Sequence, residues 1–144
     1  MMQLSVIPGD SIGAFVIGWP RHAVNEHCGE PDGTFRKSPL SKTIVDSYEL
    51  EQCQVFYDES DCAEYIEASR KAGIDLIYFG HSLFDLSVEE LLSLLSTEEV
   101  VEEDNGCSYI FPKIGMALWR SSTEQALFDT VGVGALSYFQ EHQT

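Results

Sequence analysis

The order of apolar and polar residues predicts strands broken by two short helices. Val88, Leu91, Leu92 and Leu95 form one stripe at helical spacing. Ahead of them Ser87-Val88-Glu89-Glu90 is a capping box, in which a hydroxyl and a carboxylate satisfy backbone donors at a helix start, so a helix is expected over 87–96. Another is expected over 20–28, because Pro20 tolerates a first-turn position and Gly29 followed by Pro31 stops the helix. Ala23, Val24 and Cys28 are expected to face inward.

Between and after these helices the spacing is that of strands. Segments 43–50 and 52–57 are expected to pair, and Tyr57-Asp58-Glu59-Ser60-Asp61 reads as a tight turn feeding a strand over 63–69. A further strand is expected over 74–79. Segments 100–103, 107–111 and 114–119 read as a second meander, punctuated by Asn105-Gly106 and Pro112-Lys113. Segment 131–139 is expected to close the chain as a last strand, with Gly132 and Gly134 marking a bulge or a close backbone approach.

The order repeats. GDSIGAFVIGWPRHAVNEHCG, at 9–29, places a G-x-S-apolar turn ahead of a helix and a meander, and GHSLFDLSVEELLSLL, at 80–95, does the same. The expected fold is α+β in a single domain over 1–144: an antiparallel sheet with short helices on one side, built from two similar halves in tandem, about 1–72 and 73–144. The other side is the expected working surface. At 144 residues, 44% of them hydrophobic, the chain suits one cooperative core and is too short for a multidomain enzyme.

Charge narrows the function classes. Against 24 Asp and Glu stand 8 Lys and Arg, a formal net of -16. Such a surface repels nucleic-acid phosphates and anionic membranes and attracts a basic protein. The acids are also gathered in blocks. Asp46, Glu49, Glu51, Asp58, Glu59, Asp61, Glu64 and Glu67 follow one another with no Lys or Arg between them, and so do Asp85, Glu89, Glu90, Glu98, Glu99, Glu102, Glu103 and Asp104. Ordinary solvated faces intersperse both signs, since crowded like charges repel. Tyr48, Phe56, Tyr57 and Tyr65 are interleaved with the first block, and alternation along strands sets some of them on the same face as carboxylates.

Catalytic patterns are weak. His22 and His27 lie five positions apart, which turns them about 140° away from each other on a helix, and the chain has no C-x-x-C, so no metal site is expected. Gly80-His81-Ser82-Leu83-Phe84 lacks the second glycine of a nucleophile elbow, and no Walker or Rossmann fingerprint is present. Carboxylate pairs abound among 24 acids without any sign of a buried pair in a cleft. Neither catalytic residues nor a cofactor are expected. The longest run free of Asp, Glu, Lys and Arg, 130–140, has 11 residues, fewer than the roughly 18 of a membrane helix. The opening MMQLSVIPGD lacks a signal peptide's basic start, so a cytoplasmic location is expected, with Cys28, Cys53, Cys62 and Cys107 as thiols.

The run SIGAFVIGWPRHAVNEHCGEPD resembles the I-G-x-F-x-[LI]-G-[MW] approach, short helix and G-[EQ]-P-D exit of small bacterial proteins. These are similar to the β-lactamase-inhibitor-protein-like architecture and to the small outer-membrane lipoprotein of the barrel-assembly machinery. That resemblance implies a helix packed on an antiparallel sheet, in a unit that occurs in tandem. GIDLIYFGHSLFDLSVEELLSLL and YIFPKIGMALWR are similar to sequences of cytoplasmic bacterial proteins of similar length, many of which lie beside secreted toxin genes and are taken to be immunity proteins. No lipidation cysteine stands near the start, and Trp19-Pro20 replaces the usual Met and Ser or Thr, so a lipoprotein role is not expected.

The expected function is therefore non-catalytic: an immunity protein that binds a basic toxin domain, a nuclease for example, and covers its active site. Glu49, Glu51, Asp58, Glu59, Asp61, Glu64 and Glu67 are the expected steering charges, with Tyr57 and Tyr65 as contact anchors. The alternatives are an acidic adaptor or assembly factor, and a small-molecule enzyme, which a deep apolar pocket with converging polar groups would favour.

Overall fold

The computed structural model describes residues 1–36, 38–41 and 43–142. The chain is mixed α+β and mostly sheet, with two sheets and three short helices among the described residues. In chain order the elements are β1 (Met2–Ile7), β2 (Ser11–Ile12), β3 (Phe15–Val16), α1 (Arg21–Cys28), β4 (Gly33–Arg36), β5 (Ile44–Tyr48), β6 (Cys53–Tyr57), β7 (Ala63–Ser69), β8 (Ile74–Tyr78), β9 (His81–Ser82), α2 (Val88–Leu94), β10 (Val101–Glu103), β11 (Ser108–Phe111), β12 (Met116–Trp119), β13 (Thr130–Gly134) and α3 (Leu136–His142).

The larger sheet is antiparallel and runs β10-β11-β12-β13-β7-β6-β5-β4. The smaller runs β3-β2-β1-β8-β9, and in it β1 and β8 are parallel, Leu4 opposite Leu76. A single continuous antiparallel sheet is thus not what forms. The first residues, whose Val6 and Ile12 are buried, build the centre of a second sheet instead, and the two sheets share one core. Val55, Ile66, Val131, Val133, Met116, Leu118 and Phe111 supply the larger sheet's side of it; Leu4, Val6, Ile12, Phe15, Leu76, Leu83 and Phe84 supply the other. Burying such side chains stabilises by roughly 1.5–3 kcal/mol each.

Helices α1 and α2 close the same core through Val24, Val88 and Leu91. The capping box of α2 forms as its spacing requires: the Glu90 amide donates to Ser87 Oγ at 3.1 Å and the Ser87 amide to Glu90 Oε1 at 3.0 Å. Donation from the Ser87 amide, with the Ser87 side chain adding to it, favours the ionised form of the Glu90 carboxyl and holds its pKa down. Helix α1 follows Pro20 and ends where Gly29 takes a positive φ of 89°. It is tied to the sheet by Arg21, whose Nε and Nη2 donate to Asp46 Oδ2 and Oδ1 at 2.9 and 3.0 Å, while Thr34 donates to Oδ1 at 2.7 Å. Asp46 has no exposed surface, so this pairing offsets the desolvation of its charge.

The close of the chain departs from expectation. Segment 131–139 is not one strand: β13 stops at Gly134, and α3 then crosses the opposite face of the larger sheet. Phe139 on α3 is buried there against Tyr65, their ring centroids 6.1 Å apart. A further tie joins the sheets where Gly115 O accepts from the amides of Gly9 and Gly134, each at 3.0 Å. A Cβ on Gly115 would lie 2.7 Å from Gly9 Cα, so only glycine permits the approach.

Candidate functional site

Side-chain alternation gives the larger sheet an inner face, in the core, and an outer face built of cross-strand rows. One outer row runs Ile110, Ala117, Gly132, Glu67, Gln54 across five adjacent strands. Beside it run Gly134, Tyr65, Phe56, Val45 on one flank and Glu103, Ser108, Trp119, Thr130 on the other. The middle row is low at Ala117, which carries only a methyl group, while the Tyr65 ring covers Gly132. The flanks are high because they carry rings.

The result is a cleft of ≈ 560 Å³ whose lining includes Glu67, Glu103, Phe56, Tyr65, Trp119 and Tyr138. Helix α3 makes part of its wall. Tyr138 stacks on Tyr65 with centroids 4.8 Å apart and planes 10° apart, and Phe56 meets Tyr65 edge-on at 5.5 Å. Tyr65 itself lies along β13: a Cβ on Gly132 would fall on its hydroxyl, and one on Gly134 would come within 3.0 Å of both Tyr65 and Phe139. The two glycines flagged by the sequence thus mark a close approach by an aromatic ring.

At the floor stands Glu67. Burial is the cause that pushes its carboxyl up from the ordinary range, and no hydrogen bond or ion pair from a described residue reaches it. Burial likewise raises Tyr65 well above its usual value and Tyr138 to about 12, with Glu67 adding to both and Glu64 adding to Tyr138. Glu103 sits exposed at the rim. The arrangement combines an under-solvated carboxylate, aromatic walls and an open mouth, which suits a ligand carrying one positive charge on an apolar body.

The residues expected from the sequence are dispersed. Glu49 and Glu51 stand in the β5–β6 turn and Asp58, Glu59 and Asp61 in the β6–β7 turn, at opposite ends of β6, about 16 Å apart along the strand. Asp58 caps its own turn, its Oδ1 accepting from the amides of Ser60 and Cys62 at 2.9 and 3.0 Å. The Glu51 carboxyl is pushed up by burial and by neighbouring Asp32. Glu64 stands at the irregularity between β6 and β7, its carbonyl accepting from the amide of Ala135.

The two tyrosines are not exposed anchors. Tyr57 has 0% of its surface exposed, because its parity on β6 points it into the core, and Tyr65 keeps 9%, covered by α3. Of the expected set, Tyr65 and Glu67 line the cleft. Sequence reasoning missed Phe56 as a wall, and missed Trp119, Tyr138 and Glu103 altogether as partners of Glu67. Ala117 is the signal that would have located the depression, and Gly132 and Gly134 are the signal for the ring packed beside it.

Elsewhere the Ser82 hydroxyl donates to Asp75 Oδ2 at 2.9 Å, and His27 packs edge-on against Trp19. The four cysteines are free, and burial raises the Cys28 thiol to about 11. Among the described residues no group of three His, Cys, Asp or Glu side chains could hold a metal ion, and no helix is long and apolar enough to cross a membrane. Compared with known proteins, the chain matches no family model, no curated protein and no solved structure.

Proposed function

We propose that this is a non-catalytic immunity-type protein that captures a basic protein domain, the toxin of the pair, and neutralises it by covering its active site. The observation that carries the reading is Glu67: a largely buried carboxylate without a described donor, at the floor of an aromatic-walled cleft, in a chain of net charge -16. A carboxylate largely shielded from water and without a described counter-charge is costly, and a cation arriving from another molecule offsets that cost. The acidic turns at both ends of β6 extend the negative field beyond the cleft and speed encounter with a basic surface. In this reading the protein works in the bacterial cytoplasm and needs no cofactor.

The resemblance to immunity proteins points the same way, as does the strand order of the larger sheet. It runs β10 to β13 and then β7 back to β4, which supports two tandem halves, about 1–72 and 73–144, meeting where β7 pairs with β13.

The test is neutralisation. Co-production of this chain should restore growth to cells making the basic toxin domain encoded beside it. Replacing Glu49, Glu51, Asp58, Glu59 and Asp61 with Lys should slow association and flatten its dependence on salt. No rescue, or association kinetics indifferent to those reversals, would remove the reading.

A second reading, a small-molecule enzyme, is favoured by the cleft itself. Its ≈ 560 Å³ falls within the usual range of roughly 300–1,000 Å³ for ligand sites, and a carboxyl with a raised pKa is a candidate general acid. Turnover abolished by Glu67→Gln would decide for it.

A further inference from the structure

The large cleft, the smaller hollow beside Arg70 and Lys71, and the exposed Ile7 and Phe79 at the ends of β1 and β8 are the surfaces with unexplained chemistry. In the hollow, Asp75 and Asp85 stand beside the two cations, and Arg70 is engaged by the carbonyl of Phe128 and the ring of Phe84. Nothing in the structure shows what covers Ile7 and Phe79. The cleft differs, because its floor holds a carboxylate and its walls are rings.

Resting on the proposed function, we infer that the cleft receives one arginine side chain projecting from the partner, its guanidinium paired with Glu67 and its plane against the aromatic walls. Three features select this occupant. Glu67 has no described counter-charge, so the missing partner is a cation. Phe56, Tyr65, Tyr138 and Trp119 present aromatic surface to the same space, and a guanidinium stacks on such faces and sheds water more readily than an ammonium. Finally Ala117, the small residue of the middle row, leaves room beside Glu67 and between the rings, space that one long side chain can enter. Glu103 at the rim and Trp119, 42% exposed, lie where the stem and backbone of that arginine would pass.

The probe is N-acetyl-arginine amide, titrated into the full chain and followed by NMR at the Trp119 indole and the Ala117 and Ile110 methyl groups. Saturable shifts at those groups are expected, in the millimolar range appropriate to one side chain. The citrulline analogue, which keeps the shape and loses the charge, should bind at least about tenfold more weakly, and Glu67→Gln should cost arginine about the same factor. Glu89→Gln, exposed on α2 and outside the cleft, should leave binding unchanged.

Absence of saturable shifts in the cleft, or equal binding of arginine and citrulline analogues, overturns the inference. The two proposals fail separately. Neutralisation that survives Glu67→Gln unaltered refutes the arginine socket and leaves the immunity reading. A cleft that binds the arginine probe in a chain that neutralises nothing refutes the immunity reading and leaves the socket.

Discussion

Glu67→Gln should stabilise the folded chain, and the gain should depend on pH in a defined way. The native carboxyl has its pKa raised by burial above that of an exposed glutamate. Between that value and the folded one, the native state holds a proton that the unfolded state has released, so stability falls as pH rises through the window. Above the window the full cost of the buried charge is present. Below it the cost vanishes. Glutamine has the same shape and no charge, so its stability curve lacks this component, while contributions from Glu90, Glu51 and other shifted groups cancel in the difference.

The size follows from the surroundings. An unsatisfied buried group costs roughly 1–3 kcal/mol, and the open mouth of the cleft leaves Glu67 some water, which places the gain near the lower limit, about 1 kcal/mol at pH 7. For a chain of this length that is about 4 °C in Tm. Urea unfolding at pH 4, 5, 6, 7 and 8 should show the two proteins converging at the acid end and separating above it. A variant no more stable than the parent at pH 7, or a difference that is flat with pH, would refute the claim that the carboxylate is held without a counter-charge. A stabilised variant that loses its partner would show function maintained at a cost in stability.

Arg21→Ala should cost about 2–4 kcal/mol in urea unfolding, since it leaves the fully buried Asp46 with Thr34 as its remaining side-chain donor; a double change of Arg21 and Asp46 to apolar residues should cost less than the sum. Tyr57→Phe should be neutral or stabilise by up to about 1 kcal/mol, because the buried hydroxyl has no hydrogen-bond partner among the described residues, and a clear loss would reveal one. Gly132→Ala should destabilise by about 2 kcal/mol, because its new methyl meets the Tyr65 hydroxyl, and most of that loss should disappear in a Tyr65→Ala background.

Several elements were legible in the sequence because local chemistry specifies them. The α2 capping box needs four residues, and the β6–β7 turn follows from Asp58 and its neighbours. The hairpin strands β5, β6, β7, β10, β11 and β12 follow from alternation between turn signals. Less legible was the chain's end, where Val131 and Val133 carry strand chemistry but the residues after Gly134 turn into a helix. The aromatic pair Tyr138-Phe139 finds its partner in Tyr65, more than seventy residues earlier, and that contact overrides a local preference for continuing the strand.

By itself the sequence determined the α+β class, the positions of most strands and of α1 and α2, and a strongly negative charge, all of which depend on neighbours within a few residues or on summed composition. Only the tertiary structure decided that the strands divide between two sheets, that Tyr57 points into the core, that α3 covers Tyr65, and that Glu67, Glu103, Trp119 and Tyr138 share one cleft. Alternation tells which residues share a face of a strand; which face is covered, and by what, depends on distant segments that meet only when the whole chain is packed.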